Sequence, residues 1–254
     1  MKLDNRRQGI MDALMETGSA SVDNLSLRFS VSKMTIHRDL DELEEAGLLR
    51  KVRGGASIQN SLQFESDFRY RQKLAVTEKD RIARAAAALI EPGQTIIIDD
   101  SSTTGAIAGH IEAIRPLTII TNNLVVIEKL AGMAGITLIA LGGQYSKKFN
   151  GFFGLVAGEA LASLRADVAF LSSSAIHGAS AFHQDQEVVQ IKRLMMQAAE
   201  RSYLMVDHSK FGRSALHYFA ALTSFDGILT SALPDIPIQK TLDDAGISVS
   251  VVQS

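Results

Sequence analysis

Between residues 95 and 252 the sequence repeats one texture seven times: a short apolar run, unalternated in all but the last. The runs are 95–98, 117–120, 136–141, 168–171, 203–206, 227–230 and 247–252. Runs of four to six residues without alternation read as strands buried on both faces. Most are separated by helical patterns, at 105–114, 124–131, 156–164, 186–199 and 238–245. Strands alternating with helices specify a mainly parallel α/β sheet covered on both sides. Such sheets bind their ligands beyond the carboxyl ends of the strands, where loops and helix starts gather. The first such loop is Asp99, Asp100, Ser101, Ser102, Thr103, Thr104; the next is Thr121, Asn122, Asn123; the third is Gly142, Gly143, Gln144. Hydroxyls and backbone N–H groups at a strand-to-helix junction suit a phosphate. Each loop alone is equally an ordinary cap or turn, and it is their joint occurrence on one edge that singles them out.

The stretch from Val31 to Gly55 has a different logic. Ser32 is a good N-cap, because its hydroxyl can accept an orphan backbone N–H at a helix start. Ile36, Leu40 and Leu43 follow at helical spacing, and Gly47 supplies a left-handed stop. Met34 and Arg38 point away from that apolar stripe, flanked by Lys33, Thr35 and His37. Behind the stop, Leu48 to Gly55 reads as a hairpin carrying Arg50, Lys51 and Arg53. A short helix presenting polar side chains from its first turns, followed by a cationic ribbon, is the arrangement a winged helix-turn-helix uses on DNA. Periodicity and charge alone also allow a solvated amphipathic helix in an unrelated domain.

Charge does not decide between these. The net charge is −2, and up to Gly55 nine cations face nine acids. The signs are segregated, however, with cations at the helix start and in the hairpin, and a local basic face can steer toward phosphate at zero total charge. The 254 residues contain no cysteine, which removes disulfides, thiol catalysis and cysteine-based metal sites. The charged N-terminal stretch leads us to expect no signal peptide, and no run of about 20 apolar residues occurs in the sequence. His177 and His183, and His208 and His217, lie near one another without a metal-ligand spacing, so no metal or cofactor is expected. Glu187, Lys192 and Arg193 read as a solvated helix face.

In chain order, residues 4–16 form an amphipathic helix ended by Gly18. Ser19 to Val22 offers a short strand or turn, Ser21 or Asp23 caps a second helix, and Ser30-Val31 turns into the third. Residues 56–77 are a polar connector with scattered aromatics, including Phe64, Phe68 and Tyr70. A helix over 78–90 stops at Pro92-Gly93. The expected domains are residues 1–57, a connector over 58–76, and an α/β domain over 77–254.

The run RRQGIMDALMETGSASVDNLSLRFSVSKMTIHRDLDELEEAGLLRKVRGGA resembles the N-terminal signature of the DeoR family of bacterial transcriptional regulators. The segments IIIDDSSTT, LTIITNN, LIALGGQ, GLVAGEALASLRADVAFLSSSAI and LMVDHSKFG are similar to that family's effector domain. The resemblance implies a fold related to the ribose-5-phosphate isomerase and CoA-transferase group, and an effector that is a phosphorylated sugar or similar catabolite. It assigns DNA contact to Ser32, Lys33, Met34, Thr35, His37, Arg38, Lys51 and Arg53. It assigns effector contact to Asp99, Ser101, Ser102, Thr103, Asn122, Asn123, Gly142, Gly143, Asp207 and Lys210. In this assignment Ser102, Thr103 and Lys210 hold phosphate, and the asparagines meet the sugar. Three positions depart from the family pattern: His37 stands where arginine is common, Ser101 where glycine is usual, and Leu171 to Ala175 replace a glycine-bearing segment. The expectation is a non-enzymatic, cytoplasmic repressor, dimeric or tetrameric, that binds double-stranded operator DNA and no membrane. The rival readings are a sugar-phosphate isomerase with a DNA-binding appendage and a purely architectural DNA binder.

Overall fold

The computed structural model describes residues 3–45, 48–57 and 68–252. The expected helix stop at Gly47, and Phe64 of the connector, lie outside them. The chain divides into two compact units, Met1–Leu74 and Ala75–Ser254.

The first unit is built from α1 (Leu3–Thr17), β1 (Ser19–Ser21), α2 (Val22–Phe29), α3 (Lys33–Glu45), β2 (Arg50–Val52), β3 (Gly55–Ser57) and α4 (Phe68–Lys73). Gly18, at φ +74, ends α1 by donating to the Leu14 carbonyl at 2.8 Å. Ser21 caps α2 through its hydroxyl, which accepts from Asn24 N at 3.1 Å. Ser30 takes the left-handed conformation at φ +53 and turns the chain into α3. The three small strands pair antiparallel in the order β1-β3-β2. Gly55 is required there, because a Cβ would lie 2.2 Å from the carbonyl oxygen of Ala20 on β1. Ile10, Leu14, Leu25, Ile36, Leu40 and Leu49 form the shared core. Asp39 is buried among them, with Arg6 donating to both carboxylate oxygens at 2.6 and 3.0 Å. Breaking such a pair would leave an uncompensated buried charge.

The second unit begins with α5 (Val76–Ala87), β4 (Thr95–Ile98), the single turn α6 (Ser102–Gly105), β5 (Leu117–Thr121), α7 (Leu124–Leu130) and β6 (Ile136–Ala140). A hairpin of β7 (Gln144–Ser146) and β8 (Gly151–Phe153) follows, then α8 (Leu155–Ala162), β9 (Ala166–Leu171), β10 (Ala175–His177), β11 (Ser180–His183) and α9 (Gln186–Ala198). The chain closes with β12 (Ala199–Val206), β13 (His217–Ala221), β14 (Gly227–Thr230), α10 (Ile236–Asp244) and β15 (Val249–Val251). All seven expected strands form one sheet, in the order β15-β14-β12-β9-β4-β5-β6. Every adjacent pair in it is parallel. Strand β4 explains the unalternated composition. Ile97 enters the core on one face while Ile96 and Ile98 enter the core on the other, so both sides of the strand must be apolar.

Two expectations change. The helix over 105–114 is instead α6 followed by 3-10 turns at Ala106–Gly109 and Glu112–Ile114. Gly105 and Gly109 weaken a continuous helix, and His110 leaves helical geometry at φ −120, ψ 2. The helix over 78–90 ends as α5 at Ala87, after which Leu89 and Ile90 tighten into bonds three residues back. The hairpin β7–β8 and the antiparallel sheet β10-β11-β13 have no counterpart in the sequence reading.

Candidate functional site

Two separate groups of polar residues stand out, one in each unit. In the first, Ser32 caps α3: Thr35 N donates to its hydroxyl at 3.1 Å, and the two side-chain oxygens lie 2.9 Å apart. The buried stripe of Ile36, Leu40 and Leu43 fixes the opposite face outward. That face carries Met34, His37 and Arg38, all exposed, Met34 at 82% accessibility. Neither His37 nor Arg38 has an ion-pair partner among the described residues, whereas Lys33 pairs with Asp23 at 2.6 Å. On the hairpin Arg53 is exposed at the turn, next to Gly54 at φ +78. Lys51 is drawn back instead: its ammonium pairs with Asp41, and its backbone N–H donates to Glu44 at 2.7 Å.

The second group lies at the carboxyl ends of β5, β4, β9 and β12, which are neighbours in that order. Asp99, the residue after β4, is buried and heavily bonded. Its Oδ1 accepts from Ser101 N at 3.0 Å and Thr104 Oγ1 at 2.5 Å, and its Oδ2 from Ser172 N at 2.8 Å. Lys192 of α9 donates to the same Oδ2 and lies 2.9 Å from Asp100 Oδ1. All three of these charged residues are at most 1% exposed. Burial pulls the Lys192 pKa down, but Asp100 and Asp99 attract its charge more strongly, so it stands above the ordinary lysine value and the ammonium persists.

The structure separates these expected effector residues by what their hydrogen bonds already do. Ser101 is an N-cap, accepting from Thr104 N at 3.1 Å, and its φ of −80 needs no glycine. Asn123 caps α7 at Val125 N, 3.1 Å, and donates to the carbonyls of Asp99 and Ser101, each at 3.2 Å. Gly143, at φ +131, clears the Phe153 carbonyl oxygen, which a Cβ would meet at 2.4 Å. Gly142 is exposed with open space around it. Asn122 is buried, and its amide donates to the Phe152 carbonyl at 3.1 Å. Ser102 is half-buried and Thr103 buried on α6, which packs against β12. Beyond β12, burial pushes the Asp207 pKa up. Lys210, Ser209 and Lys79 outweigh it and hold the carboxyl below the ordinary aspartate range. Lys210 itself is half-buried.

Lys192 is a correction: it is not on a solvated face, although Glu187 and Arg193 on the same helix are exposed. Val188, Val189, Ile191, Met195 and Ala198 are the buried neighbours on α9. Position 192 is four after Val188 and three before Met195, on the stripe itself. A lysine on an apolar stripe, with two consecutive aspartates at a strand end, was the available signal. His183 is buried and His208 lies 3.1 Å from Ser231 Oγ; no metal-binding cluster of His, Asp and Glu occurs among the described residues. No helix there is long and apolar enough to cross a membrane. Two shallow grooves open at the opposite edge of the sheet, beside Thr95 and Asp167 and beside Pro116 and Gly135, away from the buried charges.

A helix-turn-helix reader with a hairpin wing, and a parallel α/β unit with buried polar residues at its ligand edge, define a two-domain regulator. Residues 6–62 match the DeoR-like helix-turn-helix domain, and residues 74–232 match the DeoR C terminal sensor domain. The chain is 32% identical to the glycerol-3-phosphate regulon repressor of Escherichia coli, over 99% of this chain and all of that one. It is 31% identical to the HTH-type transcriptional repressor GlcR of Bacillus subtilis, over 100% of this chain and 98% of that one. A solved ribose 5-phosphate isomerase from Methanocaldococcus jannaschii is 17% identical, with a TM-score of 0.37 over 52% of this chain and 53% of that one. The chain belongs to the DeoR family, and it is a DNA-binding transcriptional regulator.

Proposed function

We propose that this regulator represses a carbohydrate operon in the cytoplasm. It reads operator DNA with Ser32, Lys33, Met34, Thr35, His37 and Arg38 and grips the phosphates with Lys51 and Arg53. The observation that carries the reading is the outward face of α3, where His37 and Arg38 stand exposed without ion-pair partners among the described residues while the rest of the helix is locked by its core and its cap. Side chains free of intramolecular partners are available to base edges. The domains would run over 1–57 and 77–254, with 58–76 as connector. One recognition helix covers only a few base pairs, so a two-fold oligomer reading two half-sites is part of the proposal.

The sensor domain would bind a phosphorylated sugar or polyol. Ser102, Thr103 and Lys210 would take the phosphate, since α6 packs against β12 and Lys210 follows that strand. Asp207 would orient Lys210 through the charge attraction between them. Relatives named as repressors of a glycerol-3-phosphate regulon and of the aga operon favour this ligand class. Thermal unfolding against a panel of sugar phosphates tests it, because a true ligand raises stability by mass action. Turnover of any of them would favour the isomerase reading. Monomers in sedimentation at micromolar concentration, with and without operator, would exclude the oligomer.

A further inference from the structure

Resting on the sensing reading above, we propose that Asp100 and Asn122 are the hydroxyl acceptors of the sensor, and that Asp99 and Lys192 are positioning residues that never touch the ligand. The two consecutive aspartates look equivalent in sequence, yet their hydrogen bonding divides them. Asp99 has four donors distributed over its two oxygens, from Ser101, Thr104, Ser172 and Lys192. Its acceptor capacity is used in joining its own loop and α6 to the loop after β9 and to α9. Asp100 is far less used: among the described residues its Oδ2 meets no donor, and its Oδ1 has only the Lys192 ammonium, at 2.9 Å. Asn122, on the neighbouring strand end, also leaves its Oδ1 without a donor among the described residues, while its amide is anchored on Phe152.

These atoms share one chemistry. All are buried lone-pair acceptors, and buried acceptors left unpaired are costly. The complementary ligand end therefore offers donors, as a chain of hydroxyl groups does, and not a carboxylate. The charges reinforce the polarity of the edge. Two buried carboxylates face one ammonium at β4, whereas at β12, two strand spacings or about 10 Å away, Asp207 has the cations Lys79 and Lys210. A polyhydroxylated phosphate ester of four to six carbons spans that distance with its phosphate toward Lys210. Gly151 of β8 covers the acceptors: a Cβ there would lie 3.4 Å from Asp100 Cβ and 2.9 Å from the Asn122 carbonyl oxygen. Ligand entry accordingly requires the hairpin to lift.

The experiment titrates the full-length protein by calorimetry with inorganic phosphate and with the aldose and alditol phosphates of three to six carbons. The tightest binder is then compared with its deoxy analogues and with the corresponding aldonic acid phosphate. On the wild-type chain, at least one deoxy analogue and the aldonate should bind about ten-fold or more weakly, the worth of a hydrogen bond to a charged group. Asp100→Asn should produce a similar loss for the parent ligand, leave inorganic phosphate unaffected, and keep its unliganded Tm, because Lys192 retains Asp99 as a one-to-one partner. Asp99→Asn should instead lower the unliganded Tm. Failure of every probe to bind would overturn the sensing reading and this proposal with it. A probe that binds, but binds Asp100→Asn and its own deoxy and aldonate analogues as tightly, would leave sensing intact and overturn the assignment of Asp100 and Asn122. The analogue series needs no variant, so a misfolded Asp100→Asn does not rescue the proposal.

Discussion

The outward face of α3 and the carboxyl edge of the parallel sheet carry similar numbers of polar residues and use them oppositely. On α3 the scaffold is apolar and the polar groups are left over: Met34, His37 and Arg38 are exposed, and Arg38 has no ion-pair partner among the described residues. At the sheet edge the polar groups are themselves the scaffold, with Asp99, Lys192, Ser101, Thr104 and Asn123 buried and bonded to one another. A surface that reads long, hydrated DNA can stay open, because its exposed cations gain their partners from the phosphates, which release their counterions on contact. A sensor that must enclose a small polar ligand has to hold its acceptors in place before the ligand arrives, at the desolvation cost that burial imposes.

The contrast predicts where substitutions act, and the largest effect belongs to the buried edge. Lys192→Ala removes the cation between two buried carboxylates. It should cost about 3–5 kcal/mol of sensor-domain stability, read as a lowered urea midpoint. A loss below about 1 kcal/mol would mean that water reaches Asp99 and Asp100 freely, and the contrast with α3 would collapse. Arg38→Ala should leave the unfolding midpoint in place and cost about 1–3 kcal/mol on a cognate operator, with less lost on random DNA. Equal losses on both sequences would reduce Arg38 to a phosphate contact.

How legible each region was follows from the same difference. The α3 face was readable because helical periodicity alone separates Ile36, Leu40 and Leu43 from Met34 and Arg38, and Ser32 is a local cap. The seven parallel strands were readable for an equally local reason, a short apolar run. Lys192 was not, because its partners lie 92 and 93 positions away in sequence and only the crossing of α9 over the ends of β4 and β9 unites them. The split between Asp99 and Asp100 was hidden for the same reason: adjacent residues on a strand end face opposite ways, and what each meets depends on Ser172, which follows β9, and on Gly151 of β8. The close approach of Gly143 to the Phe153 carbonyl was hidden too, a contact created by a hairpin that the sequence did not announce.

A smaller effect tests whether the charged edge extends to β12. Asp207 has a folded pKa below its unfolded value, since Lys210, Ser209 and Lys79 outweigh burial. A depressed carboxyl contributes stability that is present above the unfolded pKa and is lost as pH falls through the folded one. The sensor domain should therefore lose stability on the acid side of the ordinary aspartate range, and Asp207→Asn should flatten that limb of the pH profile. An unchanged acid limb in Asp207→Asn would detach β12 from the edge.

The smallest expected effect separates the two cations of the wing. Both Lys51 and Arg53 stand in the hairpin, but the Lys51 ammonium already has Asp41 as partner and its backbone is tied to Glu44. Arg53 sits exposed at the turn with no ion-pair partner among the described residues. To reach a phosphate, Lys51 must first give up its pairing with Asp41, so its net gain on DNA is the smaller. Exposed pairs of this kind are worth about 1 kcal/mol or less, which bounds the difference. Arg53→Ala should weaken cognate and random DNA alike and lower the slope of log affinity against log salt by about one. Lys51→Ala should change that slope by less, and Asp41→Asn, which frees the ammonium, should tighten binding slightly on every sequence. Measured together across a salt series, the three variants order the wing. If Lys51→Ala weakens binding as much as Arg53→Ala, the Asp41 pair dissolves on DNA, and the wing is as open a surface as the helix it follows.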